Sequence, residues 1–358
     1  MKGYDEAVAR KRVKNPDFKL GNRIVAPGAS QLVDIPISLL SNHTPVNLTV
    51  NVVHGKRPGP TLFVSAAVHG DEIVGVEIIR RVLKSPILRH LRGTLLAVPV
   101  VNTFGFLNHT RYLPDRRDLN RCFPGSAHGS LAAQLAHLFL HEIVERSDFG
   151  IDLHTAAANR VNLPQVRVNE GDDHIMKYAE CFGAPIILTS PLREGSLRQA
   201  GKDVGVPILL YEAGEGLRFD EMAIRAGVSG VLRVMRELGM VAEKSVRAPR
   251  LPSFKSSASQ WLRAPVGGML RTFKLAGDFV RVGDVVAAVS DPFGQSDTEV
   301  LAKQDGLIIG RTNLPIVNQG DALFHVASIK RPAELQERMD AIETHLQSDP
   351  LLDEDEII

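Results

Sequence analysis

Short apolar runs alternate with helical periodicity along the first two thirds of the chain. Between residues 72 and 84, apolar side chains recur at Ile73, Val76, Ile79 and Leu83, which predicts a helix. We predict further helices at 131–146 and 227–238, and strands at 46–54, 61–68, 93–101, 149–155, 185–189 and 207–211. Because strands alternate with helices, this part of the chain is expected to form an α/β domain with a largely parallel sheet.

The pattern changes near residue 243, and the predicted organisation changes with it. Residues 244–259 contain Pro249, Pro252 and a cluster of serines, as linkers do. Beyond them, short β runs separated by Gly and Asp predict a small all-β domain. The predicted units are an N-terminal extension (1–45), a central domain (46–243), a linker (244–259), a C-terminal β domain (260–330), and a helix with an acidic tail (331–358).

Composition and charge narrow the function classes. The 358 residues include 42 basic and 41 acidic side chains, so the chain lacks the broad basic field of nucleic-acid-binding proteins. No apolar run approaches the ~20 residues that cross a bilayer, so we expect no membrane partner. Two cysteines, Cys122 and Cys181, are too few for a disulfide framework or a zinc ribbon. They fit a reducing compartment, and we expect the cytoplasm.

The strongest chemical signal is the pair His69 and Glu72, which follows the predicted strand 61–68. His154 ends another predicted strand and would complete a set of two imidazoles and one carboxylate. Such a set binds Zn²⁺ and leaves a fourth position open, as catalytic zinc sites do. The alternatives are a charged surface turn and a hydrogen-bonded core histidine. His137 and His141 also have a metal-ligand spacing, but a surface role suits that helix better.

Two further segments carry candidate binding and catalytic groups. The polar loop at 102–125 contains four arginines, which suit the binding of carboxylates: Arg111, Arg116, Arg117 and Arg121. The alternative is an ordinary solvated loop. Glu212 ends an apolar strand, where a carboxylate is costly unless it is used or paired. It could serve as a general base or as a structural ion-pair partner.

Four motifs in order resemble the succinylglutamate desuccinylase/aspartoacylase family, which is related to the zinc carboxypeptidases. They are H-x-x-E at 69–72, D-L-N-R at 118–121, D-L-H-T at 152–155 and E-A-G at 212–214. The resemblance covers roughly residues 46–239 and implies a zinc-carboxypeptidase-like α/β fold with a mixed, mostly parallel sheet flanked by helices. The C-terminal β segment resembles the barrel-like half-domain of this family, which is similar to lipoyl carrier domains.

The resemblance also implies roles for individual residues. His69, Glu72 and His154 would bind one zinc ion per chain. Glu212 would be the catalytic glutamate, and Arg111 would polarise the scissile carbonyl, with Arg116 left open as the alternative. The remaining matches are Asn120 and Arg121, which would bind a substrate carboxylate, and Asp118, which would fix the tautomer of a zinc histidine.

The activity implied is that of a zinc-dependent amidohydrolase that removes an acyl group from a small N-acyl amino acid. A metallocarboxypeptidase acting on peptides would use the same ligands, and a non-catalytic lipoyl-like carrier is the third reading. The predicted hairpin at 290–297 has no lysine to carry a lipoyl group.

The identity of the substrate is left open. Arginines at 167, 193 and 198 suggest an anionic group in the substrate, whereas Glu215 and Glu221 could instead meet an amine. The apolar positions of the C-terminal helix could pack on the body or on a second subunit, so a homo-oligomer is possible.

Overall fold

The computed structural model describes residues 14–329 and 335–348. Its helices are α1 (Val74–Lys84), α2 (Thr103–Leu107), α3 (Leu131–Phe139), α4 (Asp173–Phe182), α5 (Leu197–Asp203), α6 (Glu221–Glu237) and α7 (Leu335–Ser348). Short 3₁₀ turns lie at Pro86–His90, Leu119–Arg121 and Glu243–Ser245, and a π-helical turn, Leu140–Val144, extends α3. None of the helices in these ranges combines the length and the apolar character that spanning a bilayer requires.

Nineteen strands are present in the described ranges. The first ten are β1 (Phe18–Leu20), β2 (Arg23–Val25), β3 (Ser30–Leu39), β4 (Pro45–His54), β5 (Arg57–Ala66), β6 (Arg92–Val98), β7 (Phe149–His154), β8 (Arg160–Val168), β9 (Ile186–Thr189) and β10 (Ile208–Gly214). The other nine are β11 (Phe254–Ser256), β12 (Ser259–Arg263), β13 (Gly268–Thr272), β14 (Phe279–Val280), β15 (Val285–Ser290), β16 (Asp297–Leu301), β17 (Gly306–Thr312), β18 (Ile316–Val317) and β19 (Ala322–Ser328).

One large mixed sheet organises the molecule. Its main path runs β12-β19-β17-β8-β10-β7-β5-β6-β4-β3. The centre, β6-β5-β7-β10, is parallel, while β4 and β8 flank it in antiparallel pairings. The predicted mixed α/β fold is therefore confirmed, with parallel pairing concentrated in the middle of the sheet.

The central strands are apolar because both faces of the sheet are covered. Successive residues of a strand point to opposite faces. Leu62 and Val64 of β5 accordingly pack in a core with α1, α4 and α6. Phe63, between them, packs in a second core with α3 and α5 on the other face. Burial on both sides explains why β5 and β7 appear in the sequence as continuous apolar runs rather than alternating ones.

The parallel strands place their carboxyl ends at one edge of the sheet. β5, β7 and β10 are direct neighbours, and Glu212 of β10 lies in register with His154 of β7. Ser65 of β5 lies in register with Asp152. Ligand sites in open α/β sheets form at this edge, so the topology brings together the segments that carry the predicted site.

Two of the predicted regional boundaries differ from the structure. Residues 30–39, assigned to an N-terminal extension, form β3 and pair along β4 at the edge of the main sheet. Val33 and Ile35 are buried there, whereas Leu32 and Asp34 between them are exposed. Within the predicted linker, β11 pairs in parallel with β9. The prediction missed both strands because each is stabilised by a distant partner rather than by a strong local pattern.

A C-terminal β unit exists, but it is not separate from the main sheet. β17 pairs with β8 from residue 310 to 312, which adds β17, β19 and β12 to the sheet. A second sheet, β16-β15-β13-β18, packs over a core of its own. The predicted likenesses to a lipoyl barrel and to zinc carboxypeptidases stay predictions.

The C-terminal helix is confirmed as α7. Its buried side chains include Met339, Ile342 and Leu346, which were among the apolar positions expected to pack. They join the core that contains α6, so in this chain α7 packs on the body. The predicted acidic tail at 349–356 lies outside the described residues.

Candidate metal centre and substrate cavity

The turn after β5 brings His69 and Glu72 back over the end of the sheet. Gly70 makes this turn possible, because a Cβ atom there would lie 1.9 Å from the carbonyl carbon of Gly105. The backbone of Glu72 donates to the carbonyl of His69 at 3.1 Å, which closes the turn just before α1. The H-G-D-E segment thus forms a tight turn that brings the side chains of His69 and Glu72 together.

His69, Glu72 and His154 meet in one buried cluster. Their candidate ligand atoms all lie within 4.8 Å of one another. The Nδ1 atoms of His69 and His154 each lie 2.7 Å from a different oxygen of Glu72. The backbone N–H of Thr155 also donates to Glu72, at 3.1 Å. The donor set is two imidazole nitrogens and a carboxylate, which is the chemistry of a zinc site with an open position.

A carboxylate holds the far nitrogen of each histidine. Asp118 Oδ1 lies 3.0 Å from His69 Nε2, and Asp152 Oδ2 lies 2.7 Å from His154 Nε2. Such pairs direct the Nε2–H outward and turn the Nδ1 atom towards the metal position. The contact of Asp118 is the one its predicted role requires. Asp152 is not among the predicted site residues, although its position two residues before His154 on the same strand places both side chains on one face.

Electrostatic interactions in the cluster favour the protonated form of its imidazoles and the ionised form of its carboxylates. Burial lowers the pKa of His69 and of His154, but the surrounding carboxylates outweigh it and raise both values above the usual range. Conversely, burial raises the pKa of Glu72 and of Asp118, but their cationic partners outweigh it and bring both well below their usual values. These partners are His69 and His154 for Glu72, and His69 and Arg111 for Asp118. A divalent cation could replace the protons on the imidazoles, because metal binding releases protons from its ligands.

Arg111 and Arg116, the two candidates for polarising the scissile carbonyl, lie in different surroundings. Arg111 Nη1 donates to Glu72 at 3.2 Å, and its Nη2 donates to Asp118 at 2.9 Å. Arg116 is exposed and does not line the cavity beside the cluster. Its backbone N–H donates to the carbonyl of Leu113 at 2.8 Å, which closes a turn within the loop. Arg111 therefore contacts the cluster and Arg116 does not, while a role of Arg116 in substrate binding stays a prediction.

Asn120 and Arg121 line the cavity from the 3₁₀ turn that follows Asp118. The backbone N–H of Asn120 donates to Asp118 at 2.9 Å, so the turn and the histidine share one carboxylate. The side chain of Asn120 accepts from the backbone of Leu197 at 2.9 Å. Arg121 is exposed to the solvent side of the cavity.

Glu212 lies in the same cavity, on the strand next to His154. One of its oxygens is 2.7 Å from Arg167 Nη2 and accepts from Asn162 Nδ2 at 3.1 Å. Neighbouring strands are about 4.8 Å apart, so the backbones of Glu212 and His154 are separated by about this distance.

The cavity has a volume of 350 Å³ and a lining rich in arginine. The suspected arginines all line it: Arg167, Arg193 and Arg198. The lining also includes residues that the sequence analysis did not single out, among them Arg160, Asn162, Trp261 and Arg311. The first two were missed because β8 was not recognised, and the last two because they come from the C-terminal unit. A larger cavity of 770 Å³ lies near the start of β5 and contains none of these side chains.

The two glutamates considered for an amine have other partners. Glu221 pairs with Arg81 and Arg225 between α1 and α6, outside the cavity. Glu215 accepts from the backbone of Asn159 at 3.0 Å and from the side chain of Asn313 at 2.7 Å. Both carboxylates hold the fold together, so neither is placed to bind a substrate amine.

Fold and site together define an α/β protein with a candidate metal centre at the carboxyl edge of its central sheet. The model of the succinylglutamate desuccinylase/aspartoacylase catalytic domain matches residues 58–238. The chain belongs to this family, whose members are deacylases of N-acyl amino acids.

A curated protein and two solved structures are similar to the chain. N-alpha-acetyl-L-2,4-diaminobutyric acid deacetylase of Halomonas elongata is 27% identical over 297 residues, covering 79% of this chain and 86% of that protein. The product-bound ectoine utilization protein EutE (DoeB) of Ruegeria pomeroyi has the same fold, with a TM-score of 0.76, 21% identity, and coverage of 88% of this chain and 100% of that one. A succinylglutamate desuccinylase/aspartoacylase of Rhodobacter sphaeroides matches with a TM-score of 0.72 and 24% identity, over 84% of this chain and 95% of that one.

Proposed function

We propose that this protein is a zinc-dependent deacylase that hydrolyses the amide bond of a small N-acyl amino acid. The observation that carries the proposal is the buried set of His69, Glu72 and His154 in one cavity with Glu212. The Nδ1 atoms of the two histidines and an oxygen of Glu72 would hold the metal. When bound there, zinc supplies the Lewis acidity that activates water near neutral pH and polarises a carbonyl.

Glu212 is the proposed general base and acid. It takes a proton from the attacking water as the carbon–oxygen bond forms, and it passes that proton to the nitrogen as the carbon–nitrogen bond breaks. The products are a carboxylate and a free amine. Asn162 and Arg167 hold one oxygen of Glu212, which fixes the position of the carboxylate relative to the substrate.

Arg111 is the proposed stabiliser of the developing oxyanion. Its guanidinium is fixed by Glu72 and Asp118 beside the metal position, so it needs no rearrangement during the reaction. Asn120 and Arg121 are the proposed ligands of a substrate carboxylate, a role that suits a guanidinium group.

The size of the cavity favours a small acyl amino acid over a peptide. Its 350 Å³ is at the low end of the range for small-molecule sites, which is about 300–1,000 Å³. Trp261 and Arg311 of the C-terminal unit also line it, so that unit borders the space that a longer peptide would need. We therefore place the deacylase ahead of the metallocarboxypeptidase, and both ahead of a carrier protein.

A chelation experiment with a substrate panel tests the proposal. Activity on N-acetyl and N-succinyl amino acids should disappear on treatment with a chelator and return when Zn²⁺ is added. Dipeptides assayed beside them should be turned over poorly. Full activity in the metal-free protein, or a clear preference for dipeptides, would contradict the proposed function.

A further inference from the structure

The larger cavity, of 770 Å³, lies at the opposite end of the central sheet from the metal cluster. It is bordered by the turn before β5, the end of α1 and the 3₁₀ turn Pro86–His90. Strand β5 begins in this cavity at Arg57 and ends at Ala66, just before His69. At about 3.3 Å per residue, this strand of 10 residues places the two cavities about 30 Å apart. A ligand in the larger cavity would therefore be distinct from the substrate.

Basic side chains from four separate segments line this cavity, whereas the described residues that line it include no Asp or Glu. They are Lys14 of the N-terminal segment, Lys56 and Arg57 of the turn into β5, Lys84 at the end of α1, and Arg89 of the 3₁₀ turn. The whole chain is nearly neutral, with 42 basic and 41 acidic residues, so this is a local concentration of positive charge. Such a concentration favours an anionic ligand. We call this cavity the basic cavity.

The cations of the basic cavity are not used by the fold. Within the ranges that the structure describes, none of the five makes an ion pair or a side-chain hydrogen bond. The same helix that ends at Lys84 shows the contrast, because Arg80 and Arg81 both donate to Glu77 one turn earlier. The guanidinium and ammonium groups of the basic cavity are thus left with all their N–H donors available.

The N-terminal segment is fixed at the rim of the basic cavity. Asn15 Nδ2 donates to the carbonyl of Gly55 at 2.9 Å, and His54 Nε2 lies 2.7 Å from the carbonyl oxygen of Pro16. His54 Nδ1 in turn lies 2.9 Å from the hydroxyl of Thr94. These contacts attach the backbone next to Lys14 to the end of β4, so they hold this lysine beside the cavity.

The stem of Lys56 is fixed in a similar way. It lies directly over Gly28, where a Cβ atom would be 2.8 Å from both the Cγ and the Cε of the lysine. Gly28 also has a φ of +86°, which glycine adopts without strain. The turn before β3 therefore provides a surface along which the lysine side chain extends, and part of the basic cavity exists before a ligand binds.

The basic cavity also has an apolar part. Val53, Leu83 and Leu88 line it and are only half-buried, so they leave apolar surface beside the cations. The hydroxyl of Ser85, which precedes the 3₁₀ turn, makes no capping hydrogen bond to that turn and can donate to a ligand. A lining of this kind accommodates both charged groups and an organic body.

We propose that the basic cavity binds a ligand with two or more adjacent phosphate groups, either a nucleoside diphosphate or inorganic pyrophosphate. Cations that come from separate segments can contact different phosphate oxygens, with Arg57 and Arg89 as forked donors and the lysines as point charges. The volume of 770 Å³ is within the usual range for small-molecule sites, about 300–1,000 Å³. The site is separate from the catalytic cavity, so the inference does not depend on the proposed deacylase activity.

Calorimetric titration of the zinc-loaded protein tests the inference. ADP should bind saturably with one site per chain, and added NaCl should weaken the binding, because salt screens exposed charges. Adenosine, which lacks the phosphates, should not bind. Pyrophosphate distinguishes the two sources of phosphate: weaker binding than ADP assigns the site to a nucleotide, and binding at least as tight assigns it to the inorganic anion. If neither ADP nor pyrophosphate binds saturably, the inference is overturned.

A pair of double variants locates the binding. Lys56→Gln combined with Arg89→Gln should raise the Kd of the phosphate ligand by at least about tenfold, since two charged donors are lost. Both side chains are exposed, so thermal unfolding and turnover without the ligand should be unchanged. The matched control is Arg281→Gln with Lys303→Gln, which removes the same charge from exposed positions outside both cavities. Equal weakening in the two double variants would mean that only net charge matters, and it would overturn the inference.

The arginines of the catalytic cavity are the competing location for an anion. Arg121→Gln removes one of them and should leave the Kd of ADP unchanged, because Arg121 does not line the basic cavity. If Arg121→Gln weakened the binding while the Lys56 and Arg89 double variant did not, the phosphate ligand would bind in the catalytic cavity. That result would also overturn the inference, and it would leave the proposed deacylase function intact.

Discussion

The two sides of the cavity differ in how completely their polar atoms are paired. On the histidine side, both nitrogens of His69 and His154 and both oxygens of Glu72 have partners. On the arginine side, Arg167 and Arg198 each bury an N–H group without a partner, and Arg160 is held by an aromatic ring. The histidine side is an interlocked network that forms without a ligand, whereas the arginine side leaves N–H groups for which the described residues provide no acceptor.

This difference predicts two kinds of mutational effect. Changes on the histidine side should alter metal binding or the chemical step for every substrate alike. Changes on the arginine side should alter the choice between substrates. A histidine-side substitution that changes the choice between substrates, or an arginine-side substitution that changes metal binding, would show that the two sides act as one unit.

The largest effect is expected for Glu212, which lies between the two sides. Glu212→Gln removes the proton acceptor and keeps the shape, so kcat should fall by about 10²–10⁴-fold on all substrates. Zinc content should not change, because Glu212 is not among the metal-binding group. Steady-state kinetics with metal analysis on the same preparation measures both quantities. Turnover near that of wild type would remove Glu212 from the chemical step.

A smaller loss is expected for Arg111. Arg111→Ala removes one fixed donor beside the metal position, and loss of a single oxyanion donor costs about 10²–10³-fold in kcat. Arg116→Ala is the matched control from the same loop, and it should retain the activity of wild type because Arg116 is exposed outside the cavity. The reverse result, a large loss in the Arg116 variant alone, would exchange the roles of the two arginines.

The smallest effect should come from the carboxylate behind His154. Asp152→Asn keeps a hydrogen-bonding group but removes its charge, and such changes weaken metal affinity by about 10–100-fold. Competition titration with a zinc chelator measures the change. Asp118→Asn should weaken affinity in the same direction through His69. Unchanged affinity in both variants would mean that these carboxylates serve the fold rather than the metal.

From the sequence we singled out the three residues of the metal cluster and, on the arginine side, Arg167, Arg193 and Arg198, but neither Arg160 nor Trp261. His69, His154 and Glu212 could be found because each lies at or just beyond the end of an apolar strand. Strand β8 was missed because Pro164, Gln165 and Arg167 interrupt any apolar pattern, and the strand forms through pairing with β10 and β17. No local signal in the sequence links Arg160 to Trp261, which lies 101 positions later and meets it only through the fold.

The central claim is that His69, Glu72 and His154 share one zinc ion. Zinc K-edge X-ray absorption of the reconstituted protein tests it most directly, together with the zinc-to-protein ratio. We predict one zinc per chain, bound by two imidazole nitrogens at about 2.0–2.1 Å, with no sulfur ligand. His154→Gln should lose the ion or show a single imidazole. An unchanged spectrum and ratio in that variant would contradict the account, because the metal would then be bound elsewhere, for example at His137 and His141.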